Sequence, residues 1–293
     1  MRLTDAATKI ALKNVLLATD FSPVSEKALL FAMAVCRRYG SKLFAVHAIS
    51  SAETPLMPPE YWGAWQQDLD EAEQHKTREL DERLRELPHQ NVLQRGGVWE
   101  VISETIRKND IDLLVMGTRG RHGLGRLLMG SVAEELFRQS SCPVLTVGPN
   151  VLTNVPEIGF KEIIFATDFG VESPAAAPYA ISLAQEYQAG LTLLHVVTDH
   201  IGPFTDSDPI VLERSKHLRA LVDPEATSWC RPRYVVEFGD PGEHILRAAE
   251  EKDADLIVMG VRPNHVAGAS RIVTTTAHTV VSRAACPVLT VRG

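Results

Sequence analysis

The sequence contains an internal repeat, and this repeat constrains the fold more than any other feature of the chain. Three motifs occur once in each half and in the same order. They are NVLLATDF at 14–21 and EIIFATDF at 162–169, DLLVMG at 112–117 and DLIVMG at 255–260, and CPVLTV at 142–147 and 286–291. A repeat of this length encodes one folding unit twice. We therefore predict two domains, residues 1–150 and 151–293, that meet within 148–159, where prolines and asparagines interrupt regular structure.

Each half alternates short apolar runs, rich in β-branched residues, with amphipathic segments of helical period. This alternation is typical of a parallel sheet covered by helices on both faces. We predict an α/β protein with two tandem open parallel five-stranded sheets, each in the Rossmann-like order 3-2-1-4-5. The expected strands lie near 13–19, 42–48, 91–95, 112–117 and 143–147, and near 161–167, 190–197, 232–237, 255–260 and 287–292. The expected helices of the first half lie near 23–39, 66–87, 98–109 and 131–140.

A glycine-rich, basic loop follows the fourth predicted strand of the first half. Its glycines and basic residues include Gly117, Arg119, Gly120, Arg121, Arg126 and Gly130. Glycines let the backbone approach an anion closely, and the following helix offers unpaired N–H groups at its N-terminus. The loop is therefore predicted to bind a phosphate group. The alternative is that Ser131 and Glu134 form a capping box, which would satisfy those N–H groups within the chain.

Asp20 ends the first predicted strand, and in the predicted order its neighbour is the strand that ends at Gly117. Open α/β sheets bind ligands at this point, where the strand order reverses. Asp20 is expected either to contact a ribose or a metal-bound water near the phosphates, or to cap the turn into the first helix with Ser22. His47 lies within an apolar run and is expected to be a hydrogen-bonded core residue.

Composition narrows the class of partner. The net charge of −7 disfavours nucleic acid, because a phosphate backbone requires a broad basic surface. The sequence has no apolar run of about 18 residues and no leader pattern, so we expect a cytoplasmic protein without membrane contact. The four cysteines show no Cys-x-x-Cys spacing and are expected to be reduced. Near the glycine loop we find neither a nucleophile with its base nor a P-loop lysine, which favours binding over catalysis.

The spacing Gly117-x2-Gly120-x9-Gly130-Ser131, with Ala18-Thr19-Asp20 after the first strand and a terminal PVLTV strand, resembles the universal stress protein family. The resemblance covers nearly the whole chain as two copies and implies an adenine nucleotide alpha hydrolase-like fold. In ATP-binding members the aspartate contacts the nucleoside, the residue after the strand-2 histidine reads adenine, and the loop holds ribose and phosphates. The resemblance, together with the basic loop, therefore implies a nucleotide site that comprises Ala18, Thr19, Asp20, Ala48, Gly117, Arg119, Gly120, Arg121, Gly130, Ser131 and Val132.

The second copy departs from this pattern. Pro263 stands where Gly120 would, and the segment 271–276 has no glycine before its helix. Proline lacks an N–H group, and side chains in this segment would obstruct a phosphate, so tight triphosphate binding is expected only in the first half. The second half is expected either to keep an adenosine-like pocket around Asp168 and Val196 or to serve mainly as a packing partner of the first. Family members often pair through the last strand, which implies that residues 143–147 and 287–292 form a pseudo-dimer contact, and a homodimer is a further expectation.

These observations lead to one functional hypothesis and two alternatives. We expect a stress-response protein that binds ATP, with Mg²⁺ or Mn²⁺ on the phosphates, and acts as a sensor or regulator on an unknown protein partner. A slow ATPase or nucleotide phosphohydrolase is the first alternative. A nucleotide-free interaction module is the second, and the glycine loop of the first half argues against it there.

Overall fold

The computed structural model describes residues 10–49, 62–118, 129–153, 158–198, 205, 207–226, 230–262 and 275–293. The elements of the first half are β1 (Asn14–Ala18), α1 (Pro23–Tyr39), β2 (Lys42–Ile49), α2 (Trp62–Leu84), β3 (His89–Arg95), α3 (Val98–Lys108), β4 (Leu113–Gly117), α4 (Ser131–Gln139) and β5 (Val144–Val147). The predicted alternation of strands and helices is therefore confirmed. Helix α2 begins four residues before the predicted start.

The second half repeats the same series. Its elements are β6 (Glu162–Ala166), α5 (Ser173–Tyr187), β7 (Gly190–Val197), α6 (Pro209–Ala220), β8 (Arg233–Phe238), α7 (Pro241–Glu251), β9 (Leu256–Val261), α8 (Thr276–Arg283) and β10 (Val288–Arg292). One difference lies at the first helix. Ser22 caps α1 by accepting a hydrogen bond from the Ser25 N–H group at 3.3 Å, whereas α5 has Glu172 at the equivalent end and no side-chain cap.

The strands form one continuous sheet in the order β3-β2-β1-β4-β5-β10-β9-β6-β7-β8. Each half shows the predicted order 3-2-1-4-5, and the two five-stranded sheets are joined into one. They join where β5 and β10 pair antiparallel, with Leu145 opposite Leu289. The physical reason is that each half would otherwise leave β5 or β10 as an edge strand with unpaired backbone groups. The predicted pseudo-dimer contact through the last strands is confirmed.

Alternation along each strand sends side chains into two cores, one on each face of the sheet. In β1, Val15 and Leu17 belong to the core beneath α1, α2, α5 and α6, whereas Leu16 belongs to the core beneath α3, α4, α7 and α8. Both cores run across the junction between the halves. Phe31 on α1 stacks on Phe160, just before β6, with ring centroids 6.4 Å apart. The carboxyl ends of β1, β2 and β4 are adjacent on the sheet.

Candidate functional site

The turn after β1 is held by its own polar groups. The Thr19 N–H donates to the Val46 carbonyl at 3.0 Å, which extends the pairing with β2 by one residue. The Asp20 carboxylate accepts from the Ser22 N–H at 3.0 Å, and the Thr19 hydroxyl accepts from the Phe21 N–H at 3.0 Å. The expected turn contact of Asp20 is thus present. A carboxylate has two oxygens, so this contact is compatible with a second role for Asp20.

Gly117 ends β4 directly beside this turn. Its strand neighbour Met116 pairs with Ala18 of β1, and Gly117 itself pairs with Val147 of β5. A Cβ atom at Gly117 would lie 3.1 Å from Val24 Cγ1 and 3.2 Å from the Ser25 backbone nitrogen. The first turn of α1 therefore packs against the end of β4 so closely that a side chain at position 117 would force the two apart.

The chain returns to the same place at the start of α4. The Gly130 N–H donates to the Thr118 carbonyl at 3.0 Å, so the N-terminus of α4 lies at the carboxyl end of β4. The intervening predicted site residues Arg119, Gly120 and Arg121 lie outside the described residues. The hydrogen bond between Gly130 and Thr118 places Gly130 and Ser131 beside the end of β4.

The predicted capping box at Ser131 and Glu134 is wrong. Gly130 is the N-cap, with φ of −66° and ψ of 150°, and no side chain caps the helix. Ser131 is instead the first helical residue, and both Ser131 and Val132 are exposed. A capping side chain must come from a residue with extended backbone, and here that residue is a glycine. The first-turn N–H groups of α4 consequently receive no hydrogen bond from an N-cap side chain.

Ala48 lies near the end of β2, on the other side of β1. The register pairs Ala18 with Val46, and because strand neighbours advance together, Ala48 is level with Asp20. Ala48 is half-buried against the core on the α3 and α4 side of the sheet. The described part of the predicted site therefore converges at one end of β2, β1 and β4. It comprises Ala18, Thr19, Asp20, Ala48, Gly117, Gly130, Ser131 and Val132.

The equivalent position in the second half has different chemistry. Asp168 makes the same turn contact, accepting from the Gly170 N–H at 2.7 Å, but its second oxygen lies 3.1 Å from a guanidinium nitrogen of Arg262. Arg262 also lies 3.5 Å from the buried carboxylate of Glu172. A Cβ atom at Gly260 would lie 3.0 Å from the Glu172 side chain. An ion-pair cluster, in which Asp168 and Arg262 are exposed and Glu172 is buried, therefore lies beside Gly260.

Helix α8 also differs from its counterpart α4. Thr275 is its N-cap, and the threonine hydroxyl accepts from the His278 N–H at 3.2 Å. This bond engages an N–H group that an anion at the helix end would otherwise receive. Pro263 and residues 271–274, on which the predicted loss of phosphate binding was based, lie outside the described residues.

His47 is a buried, hydrogen-bonded histidine as expected, but its acidic partner was missed by the sequence analysis. Its Nδ1 atom lies 2.8 Å from the Thr19 carbonyl, and its Nε2 atom lies 3.2 Å from a carboxylate oxygen of Glu73 on α2. Glu73 belongs to α2, whose many charged residues are typical of a solvated helix. The sequence could have indicated that Glu73 is buried, because its helical spacing places it on the same face as Leu80 and Leu84, which are buried.

Within the described ranges, no group of three or more His, Cys, Asp or Glu side chains is arranged to hold a metal ion. The four cysteines are buried, and burial raises the pKa of the Cys36 and Cys286 thiols to about 12. Such thiols stay protonated and unreactive at neutral pH. No helix in the described part of the chain has the length and apolar character needed to cross a membrane.

Comparison with known proteins gives a consistent result for both halves. A family model for the universal stress protein family matches residues 11–148 and again residues 159–292. A universal stress protein of Methanocaldococcus jannaschii is 31% identical over 141 residues, which cover 46% of this chain and 81% of that protein. One from Mycolicibacterium smegmatis is 24% identical over 264 residues, covering 84% of this chain and 86% of its own.

A solved structure shares the whole architecture. The crystal structure of a universal stress protein from Archaeoglobus fulgidus superposes with a TM-score of 0.72 at 20% identity, covering 97% of this chain and 99% of that one. At this identity the likeness establishes the fold. Since the family model matches both halves and together these matches span nearly the whole length, the chain belongs to the universal stress protein family.

Proposed function

We propose that the first half binds ATP or a related adenine nucleotide, and that the protein acts as a nucleotide-dependent sensor or regulator in a stress response. The site lies at the carboxyl ends of β1, β2 and β4. Asp20 would contact the ribose, the Ala48 backbone would contact adenine, and Gly130, Ser131 and Val132 would hold the phosphates.

One observation carries the proposal. The hydrogen bond between the Gly130 N–H and the Thr118 carbonyl places the N-terminus of α4, without a capping side chain, at the end of β4. A helix N-terminus carries a partial positive charge and donates N–H groups to anions. A phosphate bound there would replace the missing cap. Gly117 supports the same interpretation, because its lack of a side chain lets the first turn of α1 pack closely against the carboxyl end of β4.

The chemistry of the ligand follows from the residues around it. Arg119 and Arg121 in the loop supply positive charge that would neutralise a di- or triphosphate, and we expect Mg²⁺ or Mn²⁺ to accompany it. A glycine such as Gly120 would let the backbone approach a phosphate closely. The residues that we assign bind and orient a nucleotide and include no activated nucleophile, so we propose binding as the function. A homodimer, a protein partner and a cytoplasmic location stay predictions.

The second half serves as an internal comparison. There the aspartate at the equivalent position is paired with Arg262, the carboxylate of Glu172 is buried beside the glycine, and Thr275 caps the helix. A triphosphate would meet a buried negative charge and a capped helix. We therefore propose that nucleotide affinity belongs to the first half.

The test uses this internal symmetry. Asp20→Ala and Asp168→Ala each remove a carboxylate that accepts a backbone N–H in the same turn. A hydrogen bond to a charged group contributes about 1.5–3 kcal/mol, so we expect Asp20→Ala to weaken ATP binding by roughly 10- to 100-fold. Asp168→Ala should leave the affinity unchanged. The measurement is calorimetric titration of the nucleotide-free protein with ATP and Mg²⁺.

The proposal also predicts that freshly purified protein releases adenine nucleotide on heat denaturation. Wild-type protein that binds neither ATP, ADP nor AMP would contradict the proposal. Equal loss of affinity in both variants would show that the turn, rather than a nucleoside contact, is responsible.

A further inference from the structure

A buried chain of polar groups leads from α2 to the turn that carries Asp20. The Glu73 carboxylate has only 7% of its side chain exposed, and the His47 ring has 10%. Nε2 of His47 lies 3.2 Å from Glu73 Oε2, and Nδ1 lies 2.8 Å from the Thr19 carbonyl oxygen. Thr19 immediately precedes Asp20. An acid on α2 is therefore connected through one ring to the backbone of the candidate nucleotide site.

The positions of the acceptors determine the protons on His47. A carbonyl oxygen only accepts hydrogen bonds, so the Nδ1 atom that faces Thr19 carries a proton. Nε2 faces a carboxylate oxygen, and this contact requires a proton as well. The Lys76 ammonium lies 3.4 Å from the other oxygen of Glu73 and favours the ionised carboxylate. With Glu73 ionised, both ring nitrogens face oxygen acceptors, and this geometry fits a doubly protonated His47.

The second half contains the same ring without the acid. His195 Nδ1 lies 2.8 Å from the Thr167 carbonyl, and Phe169 packs on the ring at 4.4 Å, as Phe21 packs on His47 at 4.9 Å. The fold therefore uses this histidine in both halves. What differs is the helix above it, because α6 has no acid in contact with this ring among the described residues.

Instead, α6 brings positive charge towards His195. Burial lowers the pKa of His195, and the nearby guanidinium of Arg214 lowers it further, whereas the hydrogen bond to Thr167 acts in the opposite direction. His195 is consequently neutral at pH 7. The comparison shows that the fold does not itself require a charged histidine at this position. Glu73 is an addition specific to the half that we propose to bind nucleotide.

We propose that Glu73 is a positioning residue for the nucleotide site: it holds His47 as an imidazolium, which fixes the Thr19–Asp20 turn. This inference rests on the proposed function. A charge-assisted hydrogen bond is roughly twice as strong as a neutral one, so the Thr19 carbonyl is held more firmly than Thr167 in the second half. Asp20, as the next residue, is thereby held in place to meet the ribose. Among the described contacts, Glu73 on α2 lies against the ring and Lys76 on the same helix lies against Glu73.

The test replaces Glu73 by glutamine, which keeps the shape of the side chain and removes its charge. With a neutral ring in Glu73→Gln, the hydrogen bond to Thr19 loses its charge, and we expect ATP affinity at pH 7 to fall by roughly 3- to 10-fold. The wild-type affinity should weaken as the pH rises and His47 loses its proton. The affinity of Glu73→Gln should show little of this dependence between pH 6 and 9.

The control is Glu79→Gln on the same helix. Glu79 pairs with His75 at 3.4 Å, but both side chains are more than 60% exposed, at 63% and 67%. Glu79→Gln disrupts a histidine–glutamate pair that is exposed to solvent. It should change neither the ATP affinity nor the pH profile of that affinity. A Glu73→Gln variant that binds ATP as wild type does, with the same pH profile, would overturn the proposal.

A second measurement does not depend on nucleotide. Nitrogen-15 spectra of the histidine rings in the wild-type full chain at pH 7 should show two protonated nitrogens for His47 and a neutral ring for His195. A neutral His47 would overturn the proposal even if Glu73→Gln fails to fold. If wild-type protein binds no nucleotide, the proposed function fails, and with it the positioning role of Glu73, while the spectra still decide the charge of His47.

Discussion

The clearest difference between the N-termini of α4 and α8 is the residue at the N-cap. Gly130 in the first half offers no side chain, whereas Thr275 in the second half accepts a hydrogen bond from the His278 N–H. Both residues have the extended backbone that an N-cap requires, with ψ of 150° and 158°. A side chain at either position is therefore compatible with the backbone, and exchanging the two residues tests whether an uncapped helix end binds phosphate.

We predict that Gly130→Ser stabilises the protein by a few tenths of a kcal/mol and weakens ATP binding by roughly 10-fold. The serine hydroxyl would occupy an N–H group of the first turn and compete with the phosphate for it. Urea unfolding measures the first effect and calorimetric titration the second. A loss of affinity together with a gain in stability cannot be attributed to damage to the fold.

The matched control is Thr275→Gly, which removes the cap from the equivalent helix. It should cost a few tenths of a kcal/mol of stability and leave ATP affinity unchanged. Equal ATP affinity in wild type and Gly130→Ser would mean that the first turn of α4 does not hold the phosphate.

The Asp168–Arg262 ion pair shows that the identity of a residue does not tell which group its side chain contacts. Arg262 aligns with Arg119 of the first loop. Each arginine lies two residues after the glycine that closes the DLLVMG or DLIVMG motif. The sequence thus has an arginine in both places. In the second half this arginine is directed at the protein's own acids, Asp168 and Glu172. Glu172, the second partner of Arg262, stands at the position that Val24 occupies in the first half.

At the scale of elements, the decisive contact is the antiparallel pairing of β5 with β10. Two buried threonines strengthen it symmetrically. The Thr146 hydroxyl donates to the Val288 carbonyl at 3.0 Å, and the Thr290 hydroxyl donates to the Val144 carbonyl at 3.3 Å. These bonds cross between the halves, whereas most other contacts of β5 and β10 lie within one half. They therefore contribute to the cooperativity of the whole sheet.

We predict that the double variant Thr146→Val and Thr290→Val loses about 1 kcal/mol of stability per hydroxyl and unfolds less cooperatively in urea. Valine keeps the shape of threonine but cannot donate a hydrogen bond, so the contact between the halves weakens while each half stays intact. The measurement is the slope of the urea transition, which decreases when two halves begin to unfold separately.

Thr105→Val is the control, because its hydroxyl donates to the Val101 carbonyl at 2.8 Å within a single helix. It should lower the unfolding midpoint without changing the slope. If the double variant also keeps the wild-type slope, the two threonines do not couple the halves.

Helix α2 illustrates a failure of sequence reasoning at the same scale. Its acidic and basic residues are typical of a solvated surface helix, and most of those between residues 71 and 84 are exposed. Glu73 is the exception, because the face that packs on the sheet includes it together with Leu80 and Leu84. Helical spacing could have placed Glu73 on that face. It could not have shown that His47 lies opposite, since that contact joins elements that are distant in the sequence.

For the whole molecule, the ten strands form one sheet, yet the two halves differ in chemistry at equivalent positions. Duplication allows one copy to keep a binding site while the other accumulates residues that satisfy its groups internally. The second half contains the ion-pair cluster around Arg262 and the capped helix α8. We infer that its main contribution is to complete the sheet and both cores.

We therefore predict one nucleotide per chain. Titration of nucleotide-free protein with ATP should saturate at a molar ratio of one, and Asp20→Ala should weaken this site without revealing a second. Saturation at two nucleotides per chain, with the second site removed by Asp168→Ala, would show that the internal ion pair is displaced by ligand.

The resemblance to the universal stress protein family implied the pairing of the last strands and the residues proposed for the site. The sequence by itself determined the α/β class and the strand order within each half. These features are encoded locally, in hydrophobic periodicity, in glycine positions and in a repeat that states each pattern twice. The boundary between the predicted domains stays a prediction, and the nucleotide itself is a proposal.

Only the tertiary structure decided the register in which β5 and β10 pair, that Gly130 rather than Ser131 is the N-cap of α4, and that Glu73 is buried against His47. It also decided that Arg262 pairs with Asp168 and Glu172. Each of these is a contact or a backbone conformation set by groups far apart in the chain. The free energy of each contact depends on how deeply its groups are buried and on the charges that face each other. Neither can be derived from neighbouring residues in the sequence.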